Sequence, residues 1–263
     1  MDLGIKDRTA LIGGASRGLG LAVAQALAAE GCHVAICARS AGQLEEAAER
    51  IAQQHGVRAL WRATDLGDGQ SAHETGLWAL EHFGAVDILV NNNGGPPPGQ
   101  WADFDQEHWR AAVEKTLFSA QAMTRAVLPK MLEQNWGRVI NLTSISVKQP
   151  LPGLMLSNAV RAAVVGWAKS LADEVAPFGV TVNNVCPGWI LTQRVQDILQ
   201  ARSQASGQSA EDILAGVLEG IPARRVGRPE EIGALAAFLA SNQAAYITGA
   251  SLAIDGGLCR AML

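Results

Sequence analysis

The sequence predicts an α/β fold: a single Rossmann-type, doubly wound domain over residues 1–263, with about seven parallel strands and helices on both faces. Three observations predict it. Short apolar runs recur along the chain, longer segments of helical period separate them, and a glycine-rich string joins the first run to the first helix. Runs that are apolar on both faces fit strands buried on both sides by βαβ crossovers.

The first strand is TALIG, Thr9 to Gly13, followed by a helix through LAVAQALAAE. HVAICA (His33 to Ala38) comes next, with LEEAAERIAQQ as its helix; VRALWRA precedes a helix ending near Phe83. DILVN (Asp87 to Asn91), GRVINL (Gly137 to Leu142), VTVNNV (Val180 to Val185) and SLAI (Ser251 to Ile254) complete the strands. Long helices are expected from about Ala111 to Glu133 and Met155 to Ala176. GRPEE (Gly227 to Glu231) starts the final helix, with acids where the helix dipole favours them. Two segments break the rhythm. GGPPPG (Gly94 to Gly99) cannot be regular structure and follows a strand, so it belongs at the ligand-binding edge. Thr192 to Gly220 is a polar helical insertion, read either as a lid or assembly surface or as a solvated helix pair.

Composition narrows the function. The 263 residues are 48% hydrophobic with a net charge of −4, which excludes a disordered chain. With 25 acids against 21 bases and no basic run, nucleic acid is not an expected partner. No apolar stretch is long enough to span a membrane. Cys32, Cys37, Cys186 and Cys259 lack metal-ligand or CxxC spacing, and nothing N-terminal resembles a signal peptide. The expectation is reduced thiols, a cytoplasmic location and no metal. His33, His55, His73, His82 and His108 fall on helices or a strand start and read as structural or surface groups.

GGASRGLG supplies the strongest local signal. Gly14, Gly18 and Gly20 permit a tight turn and let the backbone of Gly14, Ser16, Arg17, Gly18, Leu19 and Gly20 approach a pyrophosphate at a helix start. The alternative is glycines serving only a turn. The second strand ends Cys37-Ala38-Arg39-Ser40, without the acid that an NAD site places on the ribose 2′-hydroxyl. Arg39 and Arg17 can instead hold a 2′-phosphate, so NADP(H) is favoured over NAD(H); two ordinary surface arginines are the alternative.

With these motifs the chain resembles the short-chain dehydrogenase/reductase family over essentially its whole length, in pattern most like 3-oxoacyl-acyl-carrier-protein reductases. The matching residues are GGASRGLG, Asp65-Leu66, NNNG at Asn91 to Gly94, CPGWILT at Cys186 to Thr192, GRPEEIG and YITGASLAIDGG. The resemblance implies that Asp65 bonds the adenine and that Asn91 lies in the strand end under the cofactor, with Leu66 and Gly94 also among the cofactor-binding residues. It also implies that Pro187, Gly188, Ile190 and Thr192 border the nicotinamide amide. It implies a homotetramer, or a smaller homodimer, and a small-molecule or acyl-thioester substrate.

The family's chemistry rests on an Asn-Ser-Tyr-Lys tetrad. Ser144 falls at the serine position, but anchoring on VVGWAKSLA sets Ser157 at the tyrosine and Arg161 at the lysine, with Thr116 at the asparagine. The only tyrosine, Tyr246, belongs to the structural YITG turn. An alkyl hydroxyl is a far weaker acid than a phenol, and a guanidinium does not release protons. Arg161 can still take over the lysine's electrostatic and ribose-binding roles or stabilise an oxyanion. Lys148, on the loop after Ser144, is a candidate substitute or else an exposed loop lysine; Lys115 points away from Thr116. Two functions follow: an NADP(H)-dependent oxidoreductase of carbonyls or alcohols with a non-standard proton source, or a catalytically silent nucleotide-binding protein with a structural or redox-sensing role. Chemistry like that of halohydrin dehalogenases, which carry Ser-Tyr-Arg, is disfavoured by the missing tyrosine and the retained glycine loop.

Overall fold

Seven strands pair in one parallel sheet: β1 Thr9–Gly13, β2 His33–Ala38, β3 Ala59–Ala63, β4 Ile88–Asn91, β5 Gly137–Leu142, β6 Val180–Pro187 and β7 Ser251–Ile254. The computed structural model describes residues 2–262. The strand order is 3-2-1-4-5-6-7, so the direction in which strands are added across the sheet reverses between β1 and β4 and opens a crevice at their carboxyl ends.

The strands form where alternate residues can be buried on opposite faces. Ile12, Ile36, Val90 and Ile140 pack with α1 (Gly18–Ala29), α2 (Ala41–His55) and α9 (Pro229–Ala240). Leu11, Ala35, Leu89, Val139 and Val182 pack with α3 (Gly69–Phe83), α5 (Ser119–Glu133) and α6 (Met155–Val175). This two-sided burial is what the doubly apolar runs require.

Strand β6 runs two residues beyond its sequence-based end, because Cys186 and Pro187 pair with Ala253 and Ile254. The expected helix from Ala111 to Glu133 is divided. It comprises α4 (Gln106–Val113), a π-turn over Glu114–Phe118, and α5. The 192–220 segment forms α7 (Gln193–Ser206) and α8 (Ala210–Gly220), as the polar helical pattern suggests. No helix among the described residues is long and apolar enough to cross a membrane.

Candidate active site

The loop between β1 and α1 is built by close approach. A Cβ on Gly20 would lie 2.5 Å from the Gly14 carbonyl oxygen, and one on Gly14 would lie 2.7 Å from Asn92 Nδ2. Gly14 also has φ +57°, which side chains disfavour. Asn92 Nδ2 donates to the Gly13 carbonyl at 3.0 Å, and Ala15 N–H donates to the Cys37 carbonyl at 3.1 Å. The loop is therefore fastened to both neighbouring strand ends. The Arg17 side chain leaves the start of α1 uncapped, and no acid lies in its first turn. Those free backbone donors and the dipole suit an anion.

The remaining candidate cofactor residues gather at the same edge. Arg17 and Arg39 are exposed and form no ion pair among the described residues. Leu66 is buried beside Gly13, and Asp65 Oδ1 accepts from Gly67 N–H at 2.9 Å. Gly188 N–H donates to the Ile254 carbonyl at 3.0 Å, while Ile190 is buried and bridges to Gly227. Thr192 is the N-cap residue just before α7, and its Cγ2 approaches Gly18 closely enough to meet an added Cβ at 3.7 Å. A cradle that added side chains would fill, two unpaired guanidiniums and an uncapped helix start fit a dinucleotide phosphate.

Beneath this edge runs an asparagine ladder that the sequence reading missed. Asn91, Asn141, Asn184 and Ser251 stand in register on β4, β5, β6 and β7. Each amide donates to the next strand: Asn91 to Asn141 at 2.9 Å, Asn141 to Asn184 at 3.0 Å, and Asn184 to Ser251 Oγ at 3.1 Å. Asn91 Oδ1 heads the ladder, buried and without a partner among the described residues. It borders a cavity of about 30 Å³ that is also lined by Asn93, Thr116, Ser119, Thr143 and Arg161. The available signal was asparagine at matching positions inside three apolar strands, since buried amides need partners.

The structure brings Thr116 and Arg161 to one cavity. Arg161, on α6, donates through Nη1 to the carbonyls of Leu142 (2.9 Å) and Thr143 (2.8 Å), and through Nη2 to that of Gly94 (2.7 Å). Its guanidinium thus ties α6 to the ends of β5 and β4. Ser157, one helical turn earlier, is buried. Ser144 opens a short 3₁₀ turn, with its Oγ accepting from Ser146 N–H at 3.1 Å. Asn93 Nδ2 donates to the Lys115 carbonyl at 2.9 Å within the π-turn. The Lys115 side chain approaches Gly67 and does not line the cavity.

Tyr246 is fully exposed in the turn before β7, and Gly249 nearby pairs with Val182 early in β6. In a parallel sheet that is the edge opposite the glycine loop. Burial pushes the Cys32 and Cys37 thiols up to about 12, and it raises Cys186 against the opposing influence of Thr143, Lys148 and Arg161. None is a ready thiolate. No group of three or more His, Cys, Asp or Glu suited to a metal exists among the described residues.

A family model described as Enoyl-(Acyl carrier protein) reductase matches residues 14–259. The chain is 37% identical to D-beta-hydroxybutyrate dehydrogenase of Cupriavidus necator, covering 96% of this chain and 98% of that one. It is 36% identical to the 3-oxoacyl-acyl-carrier-protein reductase FabG of Escherichia coli, covering 97% and 99%. Among solved structures, L-sorbose reductase of Gluconobacter frateurii, complexed with NADPH and L-sorbose, superposes with a TM-score of 0.94 at 32% identity, with both chains fully covered. Fold, glycine loop and full-length similarity agree: the chain belongs to the short-chain dehydrogenase/reductase family of oxidoreductases.

Proposed function

We propose that this chain is an NADP(H)-dependent oxidoreductase of a carbonyl/alcohol pair in which the proton comes from solvent rather than from a tyrosine. The observation that carries the reading is the shared sheet edge. The phosphate cradle, Ser144 and the Arg161 cavity lie along it, whereas Tyr246 lies on the other edge. The NADPH in the L-sorbose reductase structure supports the same nucleotide here.

In this reading the backbone of Gly14, Ser16, Arg17, Gly18, Leu19 and Gly20 holds the pyrophosphate, and Arg17 with Arg39 holds the 2′-phosphate. Asp65 and Leu66 border the adenine; Asn91 and Gly94 form the floor; Pro187, Gly188, Ile190 and Thr192 fix the nicotinamide amide. When bound, the dinucleotide supplies or accepts the hydride. Ser144 orients the carbonyl oxygen by hydrogen bonding. Arg161 adds a fixed positive charge that favours a developing alkoxide. It cannot act as the acid, and Ser157 is too weak an acid and too short to replace a phenol. The cavity bounded by Asn91 Oδ1, Asn93, Thr116 and Ser119 exceeds the ~10–15 Å³ that one water needs, so it gives solvent a polar seat beneath the site. Helices α7 and α8 act as the lid.

Four free thiols suit a reducing compartment such as the cytoplasm. The groove lined by Phe118 at the end of the π-turn, Leu128 on α5, and Trp167 and Leu171 on α6 suits a second copy of the chain within a homotetramer. The decisive assay follows NADPH oxidation against ketones, aldehydes and acyl thioesters, alongside calorimetric NADPH binding. Turnover supports the oxidoreductase. Tight binding without turnover across the panel selects the silent nucleotide-binding protein, a reading favoured by the buried Ser157 and by the carbonyl bonds that occupy Arg161.

A further inference from the structure

The loop after β5 carries a positive group that the reaction as described does not use. Lys148 is half-buried, not the fully exposed loop lysine of the simpler expectation, and its ammonium has no hydrogen bond or ion pair among the described residues. It closes the turn that Ser144 opens: Val147 N–H donates to the Ser144 carbonyl at 3.2 Å, and Lys148 N–H to the Ile145 carbonyl at 3.0 Å.

Other charges converge there. Arg161 grips the Thr143 carbonyl at 2.8 Å, one residue before Ser144. Thr143 Oγ1 lies 3.3 Å from Cys186 Sγ, and Lys148 and Arg161 both act electrostatically on that thiol. Cys186 directly precedes Pro187, at the proposed nicotinamide border. The C-terminal segment crosses here too, where the backbone N–H of Arg260 donates to Gln149 Oε1 at 3.0 Å, next to Lys148. The carboxylate acting on the same thiol is Asp255, and its two oxygens already accept from the N–H groups of Gly257 (2.9 Å) and Cys259 (2.7 Å). A chain with a net charge of −4 thus keeps two cations, Lys148 and Arg161, on the elements that flank its candidate serine. Clefts of one sign concentrate ligands of the other.

We propose that Lys148 forms a carboxylate subsite, so that the substrate is a 2- or 3-oxo acid presented as the free carboxylate rather than as a thioester. The proposal rests on the reductase reading of the same site. Four residues along a 3₁₀ turn set the backbones of Ser144 and Lys148 about 8 Å apart, and the flexible lysine stem closes the remainder. A carbonyl oxygen on Ser144 and a carboxylate one or two carbons away on Lys148 satisfy both groups together. The carboxylate is unchanged by the reaction: the carbonyl carbon gains a hydride from the reduced dinucleotide, and its oxygen gains a proton from solvent.

The test compares acetoacetate and 2-oxobutanoate with their methyl esters, and acetoacetate with its N-acetylcysteamine thioester. Wild type, Lys148→Met and Lys148→Arg are followed by NADPH oxidation and by calorimetric binding in the presence of NADP⁺. A charge-assisted bond predicts at least one acid favoured over its ester by about 10- to 100-fold, in kcat/KM and in Kd. K148M collapses that ratio and K148R retains most of it. Esters or the thioester matching the acids, K148M leaving the ratio unchanged, or neither acid binding would overturn the proposal. If nothing is turned over while an acid still binds more tightly than its ester in wild type but not in K148M, the subsite stands and the reductase reading falls.

Discussion

Arg161 shows how one side chain sets the character of this site. Its guanidinium joins α6 to three backbone carbonyls that face the cavity, so it acts as a brace as well as a charge. Arg161→Met would strand those acceptors, and we expect a loss of about 2–4 kcal/mol in urea unfolding. Arg161→Lys should restore only part of it, because an ammonium lacks the fork that spans separate carbonyls. The sequence reading set Arg161 in a helix from about Met155 to Ala176, which is α6 in the structure, but did not give its carbonyl partners, which come from two different strand ends. The asparagine ladder was hidden for the same reason: each amide is visible in its own strand, and its partner is fixed only by register. Asn141→Leu should take one acceptor from Asn91 Nδ2 and the donor from Asn184 Oδ1, and cost about 1–3 kcal/mol, read in the same unfolding experiment.

Among the elements, the glycine loop and the strands were the most legible. Tight turns demand particular residue types locally, and apolar runs bounded by turns declare themselves. The ends of β1, β2, β5 and β7 agree with the apolar runs that predicted them. The division of the 111–133 helix was not legible, since helical periodicity continues through the π-turn, and the Asn93 side chain that binds the Lys115 carbonyl comes from the loop after β4. Gly20→Ala tests the loop directly. Its Cβ would press on the Gly14 carbonyl, and we expect NADPH affinity to fall by about 10- to 100-fold in calorimetry.

At the scale of the whole molecule, the sheet separates functions by edge. Carboxyl ends of the strands gather the cradle, Ser144 and Arg161, while the opposite edge holds Tyr246. Burial on both faces also has a pH consequence. Cys32 and Cys37 titrate at about 12 in the folded chain against an ordinary value of 9.0. The unfolded chain therefore loses these protons first, and stability declines as pH rises from about 9 toward 12, by up to ~1.4 kcal/mol per pH unit for each thiol. Urea midpoints under reducing conditions at pH 8 and pH 10 should show this decline, smaller in a Cys32→Ala/Cys37→Ala variant.

Hydride transfer in this site is expected to proceed without a phenolic acid. Stopped-flow NADPH oxidation by wild type and by Ser157→Tyr, with the best carbonyl substrate, tests it most directly. We expect measurable single-turnover oxidation in wild type, and a rate about 10²-fold higher or more once a phenol stands on α6 beside Arg161. Wild type that binds NADPH yet transfers no hydride, or a tyrosine variant no faster than wild type, would contradict it.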